Sequence, residues 1–461
     1  MRHIVSLFIA ASSLLLAANS PAATRPRYGG TLHVTMRAAP PSLDPANLGS
    51  ATPGSADWWG ARDLSRLLFD TLVTLDNNGR PQPALAASWQ SEPSSQRWQF
   101  SIRHGVTFPD GTALTTGTIA ASLRAANPSW KVLSESESVI IERESPAPDL
   151  AAELALPRNS IVRRDGGKIS GTGPFAVTQW DAGKKLVLTA REDYWGGRAF
   201  LDSVEIELGK SFRDQSIALD LGKAQLIEVA PEQLHRASAE NNRIEHSEPV
   251  ELMALLFSRE PGSVDDGHLR EALALAIDRT ALNTVVLQSG GEPSAALLPN
   301  WMTGYAFVFP SNVDLAGARQ NMTGLRQTAP WTLGYDASDP SARVLAERIT
   351  LNAHDSGLSL QPTAGASDLR LVRVPLVSLN AHVALAEVAK SLSIPSPRPG
   401  GSVPGDLYPV ENGLLRLRRV IPLLHLRTAA GVQSTVRNWH ASHDESWDLP
   451  NVWLTPGADK P

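Results

Sequence analysis

Trp98-Gln99-Phe100-Ser101-Ile102-Arg103-His104-Gly105-Val106-Thr107-Phe108-Pro109-Asp110-Gly111 is the stretch on which the fold turns. Trp98, Phe100 and Ile102 alternate with polar residues, the pattern of a strand with one buried face. Asp110-Gly111 is a turn pair. Taken alone, the residues read as strand, turn, strand. The rest of the chain supplies further segments of the same kind.

Upstream, Tyr28-Gly29-Gly30-Thr31-Leu32-His33-Val34-Thr35-Met36 places Leu32, Val34 and Met36 on one face, again as a strand. Pro40-Pro41-Ser42-Leu43-Asp44-Pro45 forces extended or turn geometry. Leu64, Leu67, Leu68 and Leu72 predict a helix over 63–73. Asn78-Gly79 is a tight turn, and Pro83-Ala84-Leu85-Ala86-Ala87-Ser88-Trp89 follows it. Helices are expected over 114–126 and 269–277, and strands over 139–141, 185–189 and 204–208. Gly171-Thr172-Gly173-Pro174-Phe175, Asp193-Tyr194-Trp195-Gly196-Gly197, Arg270-Glu271-Ala272-Leu273 with Ala276-Ile277-Asp278-Arg279, Val420-Ile421-Pro422-Leu423-Leu424-His425 and Asp448 to Leu454 complete the series.

In this order the motifs resemble those of the family 5 extracellular solute-binding proteins, the capture subunits of bacterial peptide, oligopeptide and nickel ABC importers. The stretch at 98–111 is similar to that family's "w-F-x-L-R-x-G-v-x-F-x-D-G". Pro83 to Trp89 is similar to "P-x-L-A-x-S-W", and 171–175 to "G-T-G-P-[YF]". The resemblance spans nearly the whole chain after the N-terminal segment. It implies an α/β fold of the periplasmic-binding-protein-like type II class, with two lobes around a cleft and an extra subdomain in the first lobe. Residues 28–45, 171–251 and 417–461 are expected in lobe I, 46–170 in the extra subdomain, and 252–416 in lobe II.

Three departures stand out. Thr115-Thr116-Gly117-Thr118-Ile119 lacks the Asp the family carries near that helix start. Ser258 stands where the family has Asn. The second lobe is short between about 356 and 415, with only Asp368 and Asp406 in place of an alignable ligand-binding Asp.

The chain has 461 residues, enough for two or three structural units, and 42% of them are hydrophobic, as in ordinary globular proteins. Net charge is −5 and no dense Lys/Arg run is present, which argues against nucleic-acid binding. Arg2 and His3, the mostly apolar run from Ile4 to Ala18, and Ser20-Pro21-Ala22-Ala23 predict a signal peptide over 1–23 rather than an anchor helix. There are no cysteines, so neither a disulfide nor lipidation at an N-terminal Cys is available. The expected location is the periplasm, free and unlipidated.

Catalytic signals are weak. Gly171 to Ala176 superficially fits GxGxxA, but Phe175 and Val177 alternate, so a strand follows where a phosphate site needs a helix. Gly209-Lys210-Ser211 lacks the earlier glycine of a phosphate loop, that position being Val204. No Ser-x-x-Lys, Gly-x-Ser-x-Gly or His-Glu-x-x-His occurs. His440-Ala441-Ser442-His443-Asp444 has metal-like spacing, but a solvated loop is the preferred reading. No catalytic residue, metal site or cofactor is expected.

Of the 12 tryptophans, Trp89, Trp98, Trp195 and Trp453 sit in the motifs and are expected in the core. Trp58, Trp59 and Trp301 are expected to face a ligand. Asp57 and Arg62 flank the pair and would meet charged ends of a ligand, while Ser258 and Arg259 follow the strand expected to cross between lobes. The expected partners are a peptide or other small solute and an ABC permease with its ATPase; a monomer is expected. The alternatives are a receptor or chaperone without a permease and a secreted serine-type hydrolase.

Overall fold

The computed structural model describes residues 25–46, 55–230, 243–325, 327–339, 341–395, 407–441, 443 and 447–455. The expected signal peptide over 1–23, Asp406 and Asp444 lie outside them.

Among the described residues one eleven-stranded sheet runs through the molecule. Its order is Phe175–Asp181, Lys185–Ala190, Ser203–Glu207, Thr31–Thr35, Leu226–Val229, Val420–Val432, Arg243–Phe257, Leu369–Pro375, Trp331–Gly334 and Leu360–Thr363, with Gly291–Pro293 also on Val420–Val432. Thr31–Thr35 pairs in parallel with both neighbours, and Trp331–Gly334 does the same at the other end. The two parallel centres are joined by the long antiparallel pair Arg243–Phe257 and Val420–Val432.

These two crossing strands are the continuous main-chain link between lobes. Their ladder slips at His246/Pro249, Pro249/Glu251 and Met253/Ala254. Pro249 has no N–H to give to a ladder, so the strand bends there, as at a bulge. The bend sits midway between the two cores. On one side Leu32, Val34, Ile206 and Leu226 pack with Leu64, Leu67, Leu68 and Trp447. On the other, Leu255 and Phe257 pack with the helix Val264–Ala276, whose N-cap Ser263 accepts from Asp266 N. A second core beneath Leu369–Pro375 holds the helix Ala381–Ser391.

The quoted stretch forms the strand Arg97–Ile102, central in a four-stranded antiparallel sheet with Ala86–Ser91, Ser138–Glu142 and Lys131–Ser134. Trp98, Phe100 and Ile102 are buried and pack with Ile119 and Leu123 of the helix Thr116–Ala126. Thr115 caps that helix: its Oγ1 accepts from Thr118 N at 3.1 Å.

The helix expected over 63–73 is instead Ala56–Leu68. It starts earlier because Ser55 caps it, and stops at Phe69 because Leu72 and Val73 enter the neighbouring core. Its Leu64, Leu67 and Leu68 pack with Leu32, Val34 and Met36. No helix among the described residues is long and apolar enough to cross a membrane.

Candidate functional site

The helix Ala56–Leu68 carries most of the expected ligand residues, and its placement follows from local contacts. Asp57, in its first turn, accepts from Ala39 N at 2.6 Å. Gly60 rides directly on the chain after Thr31–Thr35: a Cβ there would lie 2.1 Å from Ala38 Cβ. Only glycine allows that approach. The helix is thereby fixed against the first lobe with its opposite side toward the second.

Trp58 and Trp59 are 9% and 7% exposed and meet edge to face, with ring centroids 5.0 Å apart. They pack against Val250 of the first crossing strand and Val377 of the second lobe. Arg62 is wholly buried, its guanidinium 5.4 Å from the Trp59 ring. Trp301 donates its indole N–H to Pro249 O at 3.0 Å, so it reaches the same bend from the second lobe. Asp57, Trp58, Trp59 and Arg62 are therefore together, with Trp301 beside the bend.

Ser258 and Arg259 are elsewhere. They are exposed at the far end of the first crossing strand, where Ser258 N bonds Asp368 O and Arg259 O accepts from Arg270. Ser258 is eight residues past Val250, roughly 26 Å away at about 3.3 Å per residue. A strand long enough to link two lobes puts its ends too far apart to share one small ligand. His443, from the metal-like cluster, meets Trp301 edge-on with centroids 6.1 Å apart. Among the described residues no group of three or more His, Asp or Glu is placed to hold a metal.

Sequence reading missed the cavity itself. A space of about 170 Å³ is lined by Arg66, Phe69 and Asp70 at the end of the helix. Thr71, Thr74, Leu75, Ala155, Pro157 and Ser160 add the subdomain wall, and Val377, Ser378 and Leu379 the second-lobe wall. All three units meet there.

Asp70 organises the first wall. Its carboxylate accepts from Thr172 Oγ1 at 2.8 Å, Tyr194 Oη at 3.1 Å and Trp195 Nε1 at 2.8 Å. Burial raises its pKa, and these three hydrogen bonds oppose the rise. The Gly-Thr-Gly-Pro and Asp-Tyr-Trp motifs thus converge on one acid. Gly171 and Gly173 let that loop close on the helix end: a Cβ on Gly171 would lie 2.2 Å from Leu68 O.

Glu251, next to Val250, is the buried acid of the bend. Burial raises its pKa, and Arg373 and Trp59 pull it down. Its Oε2 is 3.6 Å from Arg373, whose other nitrogen is 3.0 Å from Asp339. Among the described residues its Oε1 has no hydrogen-bond partner of ordinary length.

Residues 80–368 match the family model "Bacterial extracellular solute-binding proteins, family 5 Middle", more than half of the chain. The chain belongs to this family. A curated relative, the probable D,D-dipeptide-binding periplasmic protein DdpA of Escherichia coli (strain K12), is 20% identical over 412 residues. That match covers 80% of this chain and 77% of the relative. The uncharacterized protein YhjP of Bacillus subtilis (strain 168) is 29% identical over 266 residues, 54% of this chain but only 42% of YhjP.

Among solved structures, NikA from Brucella suis in complex with Fe(III)-EDTA matches with a TM-score of 0.77 at 17% identity. The dipeptide-binding protein from Pseudoalteromonas sp. SM9913 in complex with Met-Leu matches at 0.75 and 14%. Each match covers 92% of this chain and 100% of the other. The fold is therefore the two-lobed α/β fold of type II periplasmic binding proteins.

Proposed function

We propose that the chain is the capture subunit of an ABC importer. It takes a small solute into the cavity between its lobes, closes by bending at the two crossing strands, and presents the closed form to a membrane permease with its ATPase. The observation that carries this reading is the cavity walled at once by the first-lobe helix, the extra subdomain and the second lobe. It lies beside strands whose ladder slips where a hinge would need to give.

Family membership supports the reading, as do relatives named for binding dipeptides, oligopeptides and nickel. We place the protein in the periplasm as an unlipidated monomer, released after removal of residues 1–23. The basis is the N-terminal sequence and the lack of cysteine.

Native mass spectrometry of the protein purified from its own periplasm is expected to show a co-purified small solute. Adding that solute should reduce the radius of gyration in X-ray scattering. It should also raise stability by roughly 2.7 kcal/mol at a hundred times Kd. An unchanged radius with a solute of proven affinity would overturn hinge closure. A mature N-terminus at Met1 would overturn the assignment to the periplasm as a processed protein.

A further inference from the structure

Glu251 is a buried acid at the place where the two lobes meet. It is 5% exposed and follows Pro249 and Val250, where the ladder between the crossing strands slips. The second lobe supplies its ion partner: Arg373 Nη1 lies 3.6 Å from Oε2. The first lobe supplies its cover: the indole N–H of Trp59 is directed at the carboxylate. Trp59 belongs to the helix that Gly60 seats on the first lobe, and Val377 of the second lobe packs against it. Glu251 is thus enclosed only while both lobes touch.

Its surroundings do not compensate a full negative charge. Arg373 is shared with Asp339, 3.0 Å from its other nitrogen, so two carboxylates draw on one guanidinium. Arg37, just past the first-lobe strand Thr31–Thr35, acts from further off; its Nε faces Glu228 at 3.7 Å and its guanidinium lies 4.2 Å from the Phe212 ring. Arg62, on the helix of Trp59, lies over that indole. On the second crossing strand Arg427 bonds Glu292, and His425 meets Leu297 O. Asp336, in the loop that carries Asp339, accepts from Ser338. Among the described residues no hydrogen bond of ordinary length reaches Glu251 Oε1. An ionised carboxylate loses most from burial with an unbonded oxygen, whereas the protonated acid has no charge to desolvate.

We propose that Glu251 is a proton-linked closure switch. Bringing the second lobe onto Trp59 encloses its carboxyl in the protonated form, so closing takes one proton from solvent and opening returns it. This rests on the capture reading above and adds a control to it: acid favours the closed form, and a rise in pH releases it. The sign follows from linkage. Burial raises the pKa of the enclosed acid above its ordinary 4.5, so the closed form binds the proton more tightly than the solvated open form. Support for closure is complete below about 4.5 and is lost as pH rises through the raised value.

X-ray scattering and tryptophan emission of the mature protein from pH 5.5 to 8 test this, with no solute added, so that the proton is the only ligand varied. The closed-to-open ratio should be roughly tenfold higher at pH 5.5 than at pH 8, read as a smaller radius and bluer emission. Glu251→Gln keeps the shape of the protonated acid and should stay compact at both ends of the range. Asp339→Asn removes a charge that opposes ionisation of Glu251 and should move the midpoint to lower pH.

A radius and emission that do not change with pH in the wild-type protein would overturn the switch, as would a pH response that Glu251→Gln retains. Should Glu251→Gln fail to fold, the Asp339→Asn midpoint decides: a shift to lower pH sustains the switch, and an unmoved midpoint overturns it. The capture reading is judged separately, by the co-purified solute and the change of radius it causes at a single pH.

Discussion

Arg158 of the extra subdomain grips Glu387 of the second lobe with two parallel bonds, at 2.6 and 3.0 Å. Glu387 lies on the helix Ala381–Ser391, Arg158 in the short turn Pro157–Asn159. Close by, Asn380 Nδ2 donates to Gly79 O at 3.3 Å, and Ala152, Leu156 and Val383 form a small apolar contact. Gly79 has φ +73°, and a Cβ there would lie 2.3 Å from Leu379 O. The extra subdomain thus closes against the second lobe directly, not only through the first.

This pair is expected to bias the open–closed balance. Arg158→Ala and Glu387→Ala should each weaken ligand affinity, and the double variant should lose little more than either alone. A coupling of roughly 1 kcal/mol is expected for a bidentate pair that is still partly solvated. A double-mutant cycle on ligand affinity measures it. Additive losses would show that the pair does not act as a latch.

Asp70→Ala should destabilise the protein by about 3 kcal/mol or more, because it strands three donors inside the structure. Asp70→Asn keeps an acceptor and should cost less. Urea denaturation of the two variants gives the comparison. The effect reaches beyond one pair because Thr172 and the Tyr194-Trp195 motif both depend on this carboxylate.

The sequence made the fold legible where one residue meets one local requirement. The alternation in Trp98, Phe100 and Ile102 needed only a buried face, and the face is there. The Gly-Thr-Gly-Pro motif was read as a turn leading into a strand, and Phe175–Asp181 follows it. The cavity was not legible, because Arg66, Ser160 and Ser378 share it only through three-dimensional packing. Their spacing of 94 and 218 residues carries no pattern. Ser258 and Arg259 were expected at the site because they follow the strand that crosses between lobes, and a strand of that length carries its end well beyond Val250.

His425 should make stability fall in mild acid. It is buried in the second crossing strand, its Nε2 3.1 Å from Leu297 O, and desolvation pushes its pKa down from 6.5 to about 4. The folded chain keeps the ring neutral, whereas the unfolded chain takes up a proton below about 6.5. Between those values the unfolded state binds more protons, so this site's contribution to stability falls as pH is lowered through the window. The full loss from this site is at most roughly 3–4 kcal/mol, taking about 1.4 kcal/mol per pKa unit. Asp70, Glu251 and Glu411, whose pKa values burial raises, act with the opposite sign: the folded state holds their protons more tightly than the unfolded state, so they oppose the loss from His425 on the acid side. Urea denaturation at pH 7.5, 5.5 and 4.5 should therefore show a slope that His425→Gln, which still can donate, reduces.

Trp58 and Trp59 should report closure without touching ligand. Both are buried against Val250 on the first crossing strand and Val377 on the second lobe. Moving the second lobe away removes Val377 and lets water reach the indoles, so the open form should emit further to the red. Adding ligand should shift emission to the blue, and Trp58→Phe with Trp59→Phe should abolish most of that change. Trp98 is the control: it packs wholly inside the extra subdomain, stacked on Phe100 with centroids 6.1 Å apart. Trp98→Phe should leave the ligand response intact, while Trp98→Ala should cost about 3–5 kcal/mol of stability as a large-to-small core change. A ligand response that survives loss of both interlobe tryptophans would mean that closure does not pass through the Val250–Val377 contact.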